Sequence, residues 1–358
     1  MGFIQKLINL FKKNNIQALP EAISENTRTD NSWIISGTYG NSQPQLSKLD
    51  VEILNFLDSY SQNVVTQINA NQPIDNYKTA YTSLVKSNEI VTQEQYTYNS
   101  YRESEALTDY ALNKTYQVTP KGGFYHIMSQ NYQMPNFEDM IRVYIYCKSE
   151  YISELAKTIT DSNTNPNFYM KFTGNEANAQ NPRNEKIVIY CNKNETDYTI
   201  DLIKYCKNIR PELFQDSKTL PFIKSEQDIV SIASQPTTNQ YLGLQGQIKQ
   251  IPQSVNAFIT NMLQESYIEV AREIARADSN LSFLLEPNYY NNETLYVQYY
   301  PYIFQNYNEY LLNSMKAKLE FLSRNNNIEI DGLQQNYQYY EDNTKGINEQ
   351  QQDEWSRY

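Results

Sequence analysis

The chain has 358 residues, a formal charge of −11 and a pI of about 4.8. So acidic a balance excludes a protein that grips nucleic acid through a basic footprint. Hydrophobic residues make up 40%, enough for a core, and no run approaches the length of a transmembrane helix. The length suits one large domain with appendages or two small domains.

Three cysteines, Cys147, Cys191 and Cys206, lie far apart without CxxC spacing. They read as small core residues in a reducing compartment. The 32 tyrosines read as compositional bias, with an adaptable peptide-binding surface as the functional alternative. The N-terminus lacks a signal-peptide cleavage pattern. Met1-Gly2 opens like a myristoylation site, but Lys6 stands where Ser or Thr is needed.

In chain order, residues 2–14 read as a short basic amphipathic helix, with Phe3, Ile4, Leu7, Ile8 and Phe11 on one face. It would pack on the domain or, in the sharper alternative, dock on a membrane surface. Residues 20–44 are polar and read as a linker. A strong helix follows over 46–69, where Leu49, Ile53, Phe56, Leu57, Tyr60 and Val64 recur at helical spacing. A second runs from Ile74 to Lys86, and 101–112 leans helical.

From residue 115 the period changes to two. Tyr116 to Thr119 and Phe124 to Ser129 read as paired strands joined through Pro120-Lys121-Gly122-Gly123. Further strands are predicted at Ile141 to Cys147, Phe168 to Phe172 and Lys186 to Cys191. Helices are predicted at Glu150 to Ile159, capped by Ser149, and at Thr196 to Ile209. Residues 211–252 read as loop-rich. Ser254 to Ala277 is the longest helix signal. A possible strand at 294–300 precedes a helix that continues through Asn313 to Ser323. The last thirty or so residues are polar and read as partly disordered.

His126 is the single histidine of the chain, which excludes multi-histidine metal sites. It is either the one imidazole available for proton chemistry near neutral pH or a hydrogen-bonded histidine on a half-buried strand. The chain has no P-loop, GxGxxG, GxSxG or HExxH pattern. What surrounds His126 in the strand pattern is different. Lys171 sits between Met170 and Phe172, Arg183 follows twelve residues later, Tyr190 ends the next strand and Arg142 opens the strand before. Strand alternation can send these to one face. A partly desolvated lysine suits an amine base, an arginine fork suits phosphate, and a histidine can protonate a leaving oxygen. Together they suit β-elimination of phosphate from phosphoserine or phosphothreonine, with no metal or cofactor.

Gly123-Phe124-Tyr125-His126, Arg142-Val143-Tyr144, Phe168 to Phe172, Arg183, Val188-Ile189-Tyr190 and Leu220-Pro221-Phe222 together resemble the HopA-type effector family. That family resembles the phosphothreonine lyases of bacterial pathogens and includes the stand-alone lyase of class V split lanthipeptide synthetases. The resemblance covers about residues 115–275. It implies Lys171 as base, His126 as acid, and Arg183 and Tyr190 on the phosphate. Lys249 or Arg142 would make a secondary contact, Lys249 standing where relatives carry an arginine. The pathogen enzymes place a second basic residue where this chain has Tyr169.

The resemblance implies an α+β fold, a mixed or antiparallel sheet flanked by helices and phosphothreonine-lyase-like, with an N-terminal helical layer. The expected divisions are a helical region 1–112, a lyase-like core 113–285, a tyrosine-rich extension 286–325 and a polar tail 326–358. The expected function is a phosphoserine/phosphothreonine lyase in cytoplasmic lanthipeptide-like biosynthesis. A phosphorylated precursor peptide would be its substrate and a kinase and cyclase its partners. The alternative is a non-catalytic module that binds a peptide or partner protein, as a delivered effector or scaffold. A membrane-peripheral protein held by residues 2–14 is a third reading, with no stable insertion.

Overall fold

A computed structural model describes residues 46–87, 89–113, 115–216, 218–226, 228–285 and 292–333. The expected helix at 2–14, the linker at 20–44 and the tail from 334 lie outside the described residues. The described part belongs to one compact unit that begins at Leu46.

Three helices come first: α1 (Lys48–Asn69), α2 (Asn76–Val85) and α3 (Gln93–Asn113). Helix α1 starts at a reciprocal cap. The Ser47 hydroxyl accepts from Asp50 N–H, and the Asp50 carboxylate accepts from Ser47 N–H at 2.9 Å. Its predicted stripe is the buried one, through Leu49, Ile53, Phe56, Leu57, Tyr60 and Val64.

The strands are β1 (Tyr116–Lys121), β2 (Phe124–Ser129), β3 (Met140–Ile145), β4 (Tyr169–Thr173) and β5 (Ile187–Asn192), followed by β6 (Lys224–Glu226) and β7 (Val230–Ser234). They form one sheet of order β1-β2-β4-β5-β3-β7-β6, antiparallel throughout. The fold is therefore α+β with an antiparallel sheet and flanking helices. The β1–β2 hairpin turns on Gly122 and Gly123, with φ of +61° and +80°. Positive φ at both central residues is the turn whose twist matches the strands it joins. A Cβ on Gly123 would lie 2.8 Å from Ala177 Cβ, so the hairpin also needs glycine for space.

One face of the sheet is the apolar core. Ile127, Met170, Phe172, Ile187, Ile189, Ile141, Val143 and Ile145 pack against Leu155 and Ile159 of α4 (Ile152–Ser162) and Leu202 and Ile203 of α6 (Thr196–Ile209). All three cysteines are buried and free. Between β4 and β5 lies the short α5 (Asn175–Gln180), and a separate hairpin pairs β8 (Gln240–Leu242) with β9 (Ile248–Gln250). The chain then enters α7 (Val255–Ala277), capped by Ser254, and finishes in α8 (Asn292–Gln298) and α9 (Tyr300–Asn326).

The region expected to be loop-rich thus contributes β6, β7 and the β8–β9 hairpin. The strand expected at 294–300 is instead helix α8. Leu295, Tyr296 and Val297 are all buried there, and a short apolar run buried on every side has no period to read. Ser149 does not cap a helix but opens a 3-10 turn. Its Oγ accepts from Asn178 Nδ2 at 2.6 Å and Lys186 Nζ at 3.1 Å.

Candidate active site on the polar sheet face

Register decides which side chains meet. Residues directly opposite in an antiparallel pair share a face, with Cβ atoms about 4.5–5.5 Å apart. His126 of β2 is opposite Lys171 of β4, Tyr169 of β4 is opposite Tyr190 of β5, and Tyr190 is opposite Arg142 of β3. Because Ile127, Met170, Ile189 and Val143 occupy the core face, His126, Lys171, Tyr169, Tyr190 and Arg142 lie together on the other. Four strands that are distant in sequence supply them.

Lys171 Nζ stands 4.2 Å from the Phe124 ring centre, and the Arg183 guanidinium 5.5 Å from the same ring. Arg183 also faces Tyr81 of α2 at 6.0 Å. It is held by Glu185 at 3.2 Å, whose other oxygen accepts from Asn256 of α7 at 3.0 Å. The Arg142 guanidinium lies 5.2 Å from the Tyr190 ring centre. Its Nε donates to Gln235 Oε1 and its Nη2 to the Gln253 carbonyl. Among the described residues, neither Lys171 nor Arg142 has a carboxylate ion-pair partner.

His126 Nδ1 is 2.6 Å from the Tyr169 hydroxyl. Tyr169 in turn stacks on Tyr190 at 4.5 Å with the planes 13° apart, and Tyr132 covers it at 5.2 Å. Burial pulls the imidazole below its ordinary range, and the charges of Lys171 and then Lys121 add to that. Burial drives the Tyr169 phenol the other way, well above the ordinary tyrosine range, and pushes Tyr132 up to about 12.

Of the residues singled out in the sequence, His126, Lys171, Tyr190 and Arg142 share this face, and Arg183 reaches it through the Phe124 ring. Lys249 is elsewhere. It belongs to β9 and lines a cavity of about 460 Å³ with Tyr77, Gln247, Glu265 and Arg272. Tyr169 was noted in the sequence only as the place of a missing base. Its position two residues before Lys171 was the signal, since a strand shows alternate residues on one face. Tyr132 carried no such signal, because a loop delivers it. Among the described residues, no group of three or more His, Cys, Asp or Glu side chains could hold a metal ion.

No family model matches the chain, and no curated protein matches it. Solved structures similar to it include two of effector proteins of Pseudomonas syringae. One, from pv. syringae strain 61, is 15% identical with a TM-score of 0.38, covering 59% of this chain and 88% of its own. The other, from pv. tomato strain DC3000, is 12% identical with a TM-score of 0.37, covering 62% and 88%. At this level the likeness says nothing of activity.

Proposed function

We propose that the protein is a phosphoserine/phosphothreonine lyase acting on a phosphorylated peptide. The observation that carries this reading is the pairing of His126 with Lys171 on one sheet face, with Arg183 against the Phe124 ring that Lys171 also touches and Arg142 farther along the same face. A lysine and a histidine in register can reach the Cα proton and the ester oxygen on Cβ of one ligand, and the arginines can hold its phosphate.

In the step proposed, Lys171 in its neutral form takes the Cα proton. The released electron pair forms the Cα–Cβ double bond and the Cβ–O bond breaks. His126, as imidazolium, protonates the departing oxygen. The products are dehydroalanine or dehydrobutyrine and inorganic phosphate, and no oxidant or reductant takes part. The dianionic ester offsets the lowered imidazole pKa, because a nearby negative charge favours the cation. In a biosynthetic setting a kinase would supply the phosphopeptide and a cyclase would consume the product, in the cytoplasm.

The second reading is a non-catalytic module that binds a peptide or partner protein, as a scaffold or delivered effector. It draws on the fact that the cations are already engaged: Lys171 and Arg183 on Phe124, Arg142 on Gln235 and Gln253.

Mass spectrometry of a phosphothreonine peptide incubated with the purified chain separates the two. A lyase removes the elements of phosphoric acid and leaves a dehydrated residue, and Lys171→Ala abolishes this. Return of the free hydroxyl would mean a phosphatase and overturn the mechanism. A bound but unchanged peptide would favour the second reading.

A further inference from the structure

We infer that Tyr169 is a positioning residue for His126: its hydroxyl occupies Nδ1 and leaves Nε2 as the nitrogen that exchanges a proton with a bound phosphate ester. The inference rests on the lyase reading for its chemistry and on the geometry around one ring for its substance.

The contact between the hydroxyl and Nδ1 is 2.6 Å long, and the phenol making it is fixed. Tyr169 is paired in register with Met128 on one side and Tyr190 on the other. Its ring is stacked on Tyr190 and covered by Tyr132. The ring of His126 runs nearly parallel to it, 24° between planes. The hydroxyl therefore cannot leave Nδ1 without disturbing the Tyr169–Tyr190 stack and the Tyr132 ring tilted against it.

The charge states follow. Burial keeps the phenol protonated across the working range, and a neutral phenol donates better than it accepts. With the ring neutral, Tyr169 donates to Nδ1, and the ring proton sits on Nε2. With the ring charged, Nδ1–H donates to the phenol oxygen, and Nε2 carries the proton to be transferred. Transfer of that proton to the leaving oxygen gives the Nδ1–H tautomer, held by the phenol oxygen, which returns to the resting Nε2–H tautomer by proton exchange with water. The charged groups acting on the ring are Lys171 from β4 and Lys121 from β1, both cations. No described carboxylate hydrogen-bonds to the ring, so neutral groups orient it, the Tyr169 hydroxyl at Nδ1 and the Lys121 backbone beside it.

Because His126 is the single histidine, the full chain labelled with ¹⁵N-histidine gives one pair of imidazole signals with nothing to disentangle. The neutral wild-type ring is expected as the Nε2–H tautomer. Tyr169→Phe is expected to move the Nδ1 resonance and reduce the Nε2–H fraction while keeping the stack. A predominant Nδ1–H tautomer in the wild-type neutral ring would overturn the inference, and that measurement needs no variant to fold. So would unmoved resonances in Tyr169→Phe. With a phosphothreonine peptide, Tyr169→Phe is expected to lower kcat at least about ten-fold with KM unchanged. Full kcat in an active protein would refute the positioning role. If neither protein turned the peptide over while the signals behaved as expected, the lyase reading would fall and the assignment of Nδ1 to Tyr169 would stand.

Discussion

At the scale of single residues, the pairing of His126 with Lys171 has a measurable electrostatic consequence. Lys171 holds the imidazole down through its charge, after burial. Lys171→Met removes that charge and should raise the His126 pKa by up to about one unit, read from the same imidazole signals by titration. The lyase mechanism adds a pH signature. Turnover needs the proton on His126 and not on Lys171, so only one protonation state of the pair is productive. The pH profile of kcat/KM should therefore be bell-shaped, and a profile with a single limb would count against the pair. Lys171 and His126 were both legible in the sequence because alternation along a strand assigns faces. The same alternation puts Tyr169 on that face, but its role was not legible, because it depends on a histidine 43 residues away.

At the scale of elements, the site is framed by buried polar groups that tie the helices to the sheet. Lys186 is fully buried, 2.9 Å from Glu89, with Ser149 and Asn178 completing its bonds. Lys186→Met leaves Glu89 and its neighbours short of a partner, and should destabilise by about 3 kcal/mol in chemical denaturation. Burial on α1 pushes Asp58 up to about 7. A carboxyl whose folded pKa is raised contributes stability below its unfolded pKa near 4 and loses it as pH rises through 7. The fold should therefore be more stable at pH 5 than at pH 8. Asp58→Asn should remove most of that difference, raising Tm at pH 8 and changing it little at pH 5. Neither group was legible from its sequence neighbours. An isolated lysine next to a strand and an acid on a helix stripe look like solvated residues until the neighbouring elements close over them.

At the scale of the whole molecule, the chain carries −11, yet Lys171, Arg142 and Arg183 gather on one sheet face. A phosphopeptide with basic flanks should be drawn to the acidic exterior while its phosphate is held by that face. Binding should be tighter for lysine-flanked than for glutamate-flanked phosphothreonine peptides at low salt. The difference should shrink as ionic strength rises, as followed by titration calorimetry. Equal affinity for both would show that the exterior charge plays no part in selection.

The sequence by itself determined the period of each long element, the glycine turn that sets the β1–β2 register, and the residues able to do proton and phosphate chemistry. These are local properties: side-chain spacing, positive φ, and the functional groups themselves. Only the tertiary structure decided the strand order β1-β2-β4-β5-β3, and with it that His126, Lys171, Tyr190 and Arg142 meet while Lys249 lies on another hairpin. It alone made 294–300 helical and buried Lys186 with a partner nearly a hundred residues away. The reason is physical. Which strands pair, and which charges lose their water, depends on the free energy of the assembled layers, and no window of sequence contains both sides of those contacts.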